Sequence, residues 1–220
     1  MELLRSARLY VVTDARSGRG DLVEFLDAIL GAGVGMVQLR EKEAEAADLI
    51  RYAEVFRGAA DRHDALFLVN DRPDVALATD ADGVHVGQGD LPPGLARKIL
   101  GEDAIIGLSC HSSADHESAP PEADYLTAGP VFATPTKPGR RAVGVELVRL
   151  AARHVTDRPW FAIGGIDLGN VGDVVEAGAS RVAVVRAVTE ADDPGAAVRD
   201  LLSALSPPRD DPEAGAGPAP

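Results

Sequence analysis

The sequence predicts an α/β fold: a single (β/α)8, or TIM, barrel over residues 1–205, followed by a disordered tail over residues 206–220. Short β-rich apolar runs recur eight times, mostly continuous rather than alternating, which suits parallel strands buried on both faces. A helical pattern follows each run, and eight β/α repeats in about 200 residues fit a barrel at the compact end of its size range. An open, doubly wound sheet is the alternative. It usually carries five or six strands and a glycine-rich first turn, whereas the first turn here, "TDARSGRG", contains no G-x-G-x-x-G.

The first run, "RLYVVT", leads to a helix over Asp21–Gly31, with Asp21 before the periodic stretch and Gly31 closing it. "GMVQL" is followed by Ala44–Arg62, "LFLV" by Pro73–Thr79 and "GVHV" by Pro93–Leu100. "AIIGL" precedes Ser113–Ser118, and "ADYLT" precedes Val145–His154. "WFAIG" leads to Leu168–Ala177, stopped by Gly178, and "RVAVV" to Pro194–Ala204, with Pro194 at its start. The shorter intervals have room for only one helical turn. From Ser206 the chain reads "SPPRDDPEAGAGPAP", rich in Pro, Gly, Ala and acids without periodicity, which predicts disorder.

Apolar residues make up 45% of the 220, enough for a substantial core. The formal charge of −13 argues against nucleic acid and anionic membranes as partners. It also repels an anionic ligand unless cations gather locally, so the placement of the cations is informative. Cys110 is the one cysteine, which excludes a disulfide within the chain and a thiolate metal cluster. The N-terminus does not read as a signal peptide, and no apolar run approaches the roughly 18 residues of a membrane span. The expectation is a cytoplasmic protein; the sequence does not decide between a monomer and a homo-oligomer.

A barrel carries its chemistry at the C-terminal ends of its strands. Strand 2 runs into "QLREK", where Gln38, Arg40 and Lys42 share one direction if the strand persists. A guanidinium and an ammonium aimed at one point would grip phosphate. Equally, "REKEAEA" could be solvated charge opening a helix. Asp71 and Asp90 follow strands 3 and 4. Each alone reads as a helix cap; together, beside a cationic trio, they suit Mg2+, which takes one or two carboxylates plus phosphate oxygens. Gly164 and Gly165 in strand 7, with Asn170 opening a helix, suit a monophosphate cup built from backbone amides.

Thr134, Thr136 and Lys137 lie in the Gly/Pro-framed loop "GPVFATPTKPGRR" and could bridge the two sites. Two of the three lysines, Lys42 and Lys137, sit on this rim. His85, between valines, reads as packing with one hydrogen bond. His116 reads as surface helix. His111 on the rim suits acid–base work or structural bonding, and Cys110 reads as inert. The residues alone thus describe a diphosphate-plus-metal site and a monophosphate cup on one rim.

The strings "LYVVTD", "VQLREK", "LFLVNDRPDVALATDADGVHVGQGDLP", "IIGLSCHS", "ADYLTAGPVFATPTKPG", "AIGGI" and "RVAVVRAV" run in order from about residue 9 to 188. Together they closely resemble the thiamine phosphate synthase family. The resemblance implies a transferase that joins an aminopyrimidine diphosphate to a thiazole monophosphate by dissociative displacement, releasing pyrophosphate. It implies Mg2+ at Asp71 and Asp90. It implies that Gln38, Arg40, Lys42, Asn70, Ser109 and Lys137, with Leu39 and Glu41 between them, hold the pyrimidine diphosphate. It implies that Thr134, Pro135, Thr136, Gly165, Val185 and Arg186 hold the thiazole phosphate. In this reading Arg40, Lys42 and Lys137 carry the catalytic charge, and residues 129–141 form a lid hinged at Gly129 and Gly139.

The family often has serine where Arg186 stands. If Val185 points inward, alternation sends Arg186 toward the helices, leaving only its backbone at the ligand; otherwise the guanidinium reaches the phosphate. Two rivals remain. A thiazole tautomerase of a sister family uses a histidine near His111, and a non-catalytic phosphate binder needs only one anion site.

Overall fold

The computed structural model describes residues 1–134, 142–155 and 157–205. Pro135, Thr136, Lys137, Gly139 and the tail from residue 206 lie outside the described residues, as does the expected lid from residue 135 onward. Eight parallel strands form a closed barrel in chain order. They are β1 (Leu9–Thr13), β2 (Met36–Leu39), β3 (Leu66–Asn70), β4 (Gly83–Val86), β5 (Ile105–Cys110), β6 (Tyr125–Ala128), β7 (Trp160–Ile163) and β8 (Val182–Val184). Pairing of Leu9 with Val182 and of Val11 with Val184 closes the ring.

The expected helices are present as α2 (Leu22–Gly31), α3 (Ala46–Arg62), α4 (Pro73–Ala78), α5 (Pro93–Leu100), α6 (Ser113–Glu117), α7 (Val145–His154), α8 (Val171–Glu176) and α10 (Pro194–Ala204). Pro73, Pro93 and Pro194 open their helices, where a missing amide proton costs nothing. Gly178 takes φ +106° after α8, as a stop signal should, but α2 runs through Gly31 and the left-handed residue is Gly33. Two short helices escape the sequence pattern: α1 (Glu2–Ser6) and α9 (Arg186–Thr189). Neither is long enough to show a 3.6-residue period. His116, expected on the surface, is buried, and its Nδ1 bonds Ser112 O at 3.0 Å.

Alternation divides the strands between two cores. Leu9, Val11, Val37, Phe67, Val84 and their counterparts pack against the helices. Tyr10, Met36, Leu68, Ile105, Tyr125 and Phe161 fill the barrel interior, and Leu4 of α1 joins them. Three rings dominate that interior. Tyr10 and Phe161 meet edge-on at 5.6 Å, Tyr125 and Phe161 at 5.7 Å, and Tyr10 and Tyr125 at 6.1 Å. Such pairs are each worth about 0.5–1.5 kcal/mol beyond area burial. Gly107 makes room for them: a Cβ there would stand 2.1 Å from Tyr125 Cζ.

Phe161 is fully buried in this cluster. Replacing it with alanine should cost about 3–5 kcal/mol, read as a lower urea midpoint at unchanged m-value.

Candidate active site

A cavity of about 270 Å3 opens at the C-terminal ends of the strands. Tyr10, His85, Ile163 and Ala183 line its inner part, and Gln38, Arg40, Asn70, Ser109, Thr134, Gly165, Val185 and Arg186 line it nearer the rim. The barrel therefore brings eight of the expected site residues to one space.

Gln38 points inward from β2 and is buried, yet its Nε2 has no partner among the described residues. The same is true of Arg40 Nε. Buried donors left unpaired are costly unless a ligand completes them. The strand geometry does not reach Lys42, however. β2 ends at Leu39, the Arg40 amide still bonds Thr13 O at 2.8 Å, and Lys42 lies in a turn. Its ammonium reaches sideways to Asp71, 3.9 Å from Oδ2. The REK segment precedes α3 rather than opening it. Leu39 packs into the helix-facing core, and Glu41 Oε2 accepts the Ala15 amide at 3.3 Å. Neither side chain lines the cavity: Leu39 faces the helix side of the sheet, and Glu41 anchors the β1 loop.

Neither rim aspartate is a helix cap. Arg72 holds the cap position of α4 and Pro92 that of α5, and no side chain caps either helix. Asp71 sits at φ +60°, its amide bonded to His85 O at 2.9 Å, and Asp90 Oδ2 accepts the Gly87 amide at 2.8 Å. Burial pushes the Asp71 carboxyl above the usual carboxylate range, and hydrogen bonding and repulsion from Asp90 push it further; Asn70 and Lys42 act in the opposite direction. A raised carboxyl with a second carboxylate against it suits a hard cation, whose positive charge would favour the ionised form. Among the described residues no third His, Cys, Asp or Glu joins them. Water and ligand oxygens would complete the coordination, as Mg2+ tolerates.

Among the described residues His85 meets two side chains rather than one. Its Nδ1 meets Tyr125 Oη and its Nε2 meets Ser109 Oγ, both at 2.9 Å. Ser109 faces inward, and alternation turns Cys110 outward into the helix-facing core. His111 donates its amide to Asp115 Oδ2 at 2.6 Å, and its Nδ1 donates to Gly129 O. The ring thus ties the β5 loop to the end of β6.

At the far side Gly164 and Gly165 take φ +106° and +65°. A Cβ on Gly165 would stand 2.8 Å from Ala133 O, so only glycine fits there. Asn170 closes the turn: its Nδ2 donates to Gly165 O at 2.8 Å and its Oδ1 accepts the Asp167 amide at 2.9 Å. Arg186 and Ala187 open α9 and line the cavity, and amides in a first helical turn have no intrahelical acceptor. β8 ends at Val184, so alternation no longer governs Arg186, an exposed residue that lines the cavity.

A further residue escaped the sequence. Arg16 forks onto Asp21 at 2.8 and 2.7 Å, lies 3.9 Å over the Phe25 ring, and donates Nη1 to Thr189 O at 3.1 Å. It fastens the β1 loop to the end of α9. Asp21, expected as a helix cap, spends its carboxylate on this pair instead. Only its contacts reveal Arg16; no spacing in the sequence marks it.

A family model described as thiamine monophosphate synthase matches residues 9–188. The chain belongs to this family. A thiamine-phosphate synthase of Streptomyces avermitilis is 56% identical over 204 residues, covering 92% of this chain and 95% of the relative. One of Acidothermus cellulolyticus is 53% identical over 205 residues, covering 92% and 97%. A solved thiamine phosphate pyrophosphorylase from Pyrococcus furiosus superposes with a TM-score of 0.82 at 36% identity, covering 93% of this chain and 97% of that one. The family match runs from β1 into α9, so the whole rim described above lies within it.

Cys110 stands apart from this chemistry. Burial, reinforced by the charge of Asp115, pushes its thiol up to about 12. Iodoacetamide at about pH 8 should leave the native protein unmodified and alkylate it stoichiometrically in denaturant; rapid native labelling would contradict the burial.

Proposed function

We propose that this member of the thiamine phosphate synthase family joins 4-amino-2-methyl-5-(diphosphooxymethyl)pyrimidine to 4-methyl-5-(2-phosphooxyethyl)thiazole, giving thiamine phosphate and pyrophosphate. One observation carries the reading. A single cavity has unpartnered buried donors on Gln38 and Arg40, beside the Asp71–Asp90 pair, and a glycine-and-amide cup at its other end. A binder of one anion needs only one of these. A tautomerase needs no diphosphate grip, so the unpartnered donors on Gln38 and Arg40 and the Asp71–Asp90 pair favour the synthase over it.

The mechanism follows from charge. Cleavage of the methylene C–O bond leaves a pyrimidine-methyl cation, stabilised by its own amino group, and the electron pair departs on pyrophosphate. The thiazole nitrogen then donates its lone pair to the methylene carbon. No base or protein nucleophile is needed; the protein holds charge and aligns the partners. Arg40 and Lys42 face the leaving group, and Asn70 and Ser109 position it; Lys137, outside the described residues, is assigned the same task as Arg40. The Gly165 turn and the first amides of α9 hold the thiazole phosphate, with Thr134 beside them. Asp71 and Asp90 would hold Mg2+, which supplies charge neutralisation on the diphosphate.

Small phosphorylated molecules are the partners this site fits. No helix among the described residues is long and apolar enough to cross a membrane. A cytoplasmic site of action suits a biosynthetic reaction on such substrates.

Purified protein given both substrates and Mg2+ should form thiamine phosphate and pyrophosphate in equal amounts, and none with chelator. Isomerised thiazole without joining would restore the tautomerase; binding without reaction would restore the binder.

Asp71→Asn separates function from stability. Turnover should fall by about 100-fold or more, while thiazole-phosphate binding changes by less than about twofold. In chelator the effect on stability has the opposite sign. A carboxyl raised in the folded state is destabilising once pH exceeds its unfolded value. The variant should therefore melt higher than the parent near neutral pH, and the gain should vanish as pH falls below the usual carboxylate range. A lower melting temperature at neutral pH would mean that Asp71 is a structural anchor.

A further inference from the structure

We propose that Tyr125 is a positioning residue for the joining reaction: acting through His85, it turns the hydroxyl proton of Ser109 into the cavity. This rests on the function proposed above and adds to it a buried group with no part in the chemistry so far.

His85, Gly107 and Tyr125 are register partners across β4, β5 and β6, so they share one layer of the barrel interior. In most layers the central residue would separate its neighbours. Here a Cβ on Gly107 would stand 2.3 Å from Tyr125 Oη, and its lack lets the phenol cross β5 and reach His85 Nδ1 at 2.9 Å. The other ring nitrogen reaches Ser109 Oγ at 2.9 Å, one layer nearer the mouth. At the opposite end the hydroxyls of Tyr125 and Tyr10 lie 3.3 Å apart, a pair in which either can donate. All four side chains are buried.

A neutral imidazole has one N–H, so the chain can run in only two directions. In the first, Ser109 donates to Nε2, Nδ1–H donates to Tyr125, and Tyr125 donates to Tyr10. The last proton then sits on Tyr10 at the cavity floor, beside Phe161 and Ala183, with no acceptor among the described residues. In the second, Tyr10 donates to Tyr125, Tyr125 to Nδ1, and Nε2–H to Ser109. The donors of Tyr10, Tyr125 and His85 are then all used, and the one free proton is on Ser109, toward the rim where, in the function proposed above, the cationic groups hold an anion rich in acceptors. The second order moves the one unused donor from the aromatic floor to the rim, where the ligand can use it. Tyr125 is the member that makes Nδ1 an acceptor.

Imidazole 15N shifts of the native protein test the direction, with the His85 signal assigned by its loss in His85→Gln. The proton should be on Nε2. A proton on Nδ1, or on both nitrogens, overturns the proposal. This reading needs no turnover, so it stands apart from any failure of the proposed reaction. Kinetics test the route. Tyr125→Phe keeps the ring and should lower kcat about tenfold, with KM for the thiazole phosphate within about twofold. In a Ser109→Ala background the same change should cost less than about twofold, because its effect passes through Ser109. Equal losses in both backgrounds would mark Tyr125 as packing alone and overturn the proposal.

Discussion

Strand side chains alternate between two faces, and a closed barrel has one interior. Everything at the site depends on that constraint. Closure through β1 and β8 sends Tyr10, Gln38, Leu68, His85, Ser109, Tyr125 and Phe161 inward together, whatever their polarity. Apolar members stack below and polar members gather toward the C-terminal mouth. The same rule sends Leu39 and Cys110 outward into the helix layer, away from the cavity.

Polar interior groups set a second balance. The chain carries a formal charge of −13, and two of its carboxylates adjoin at the rim with Asp71 held above its ordinary range. Nearby, Gln38 and Arg40 keep buried donors unpaired. A domain optimised only for stability would avoid both features. In the proposed function they become two halves of one complement: a cation would sit toward the carboxylates and phosphate oxygens toward the donors. The apolar aromatic floor and the Arg16 clamp from the β1 loop to α9 hold that arrangement in place.

Much of this was legible in the sequence. The eight strands stood out because burial on both faces makes each a continuous apolar run, and the longer helices because their periodicity repeats. The rim residues followed from knowing which strand end carries chemistry. Legibility failed where the period did. α1 and α9 are single turns, and because β8 ends before Arg186, alternation was the wrong tool for its side chain. Lys42 was assigned to a strand direction that stops at Leu39; it meets Asp71 from a turn instead. Asp71 and Asp90 look like caps in sequence, and only φ angles and partners show otherwise. Gly107 was invisible, because what it does depends on a phenol from the neighbouring strand.

In the proposed function one cavity has two anion sites, of which only the one beside Asp71 and Asp90 depends on metal. Calorimetric titration of the resting protein with each half-ligand measures this directly. Inorganic pyrophosphate should bind at least about tenfold more tightly with Mg2+ than with chelator, while the thiazole phosphate alone should bind equally in both to within about twofold. Equal pyrophosphate affinity in both conditions, or a thiazole phosphate that also requires Mg2+, would contradict the two-site arrangement.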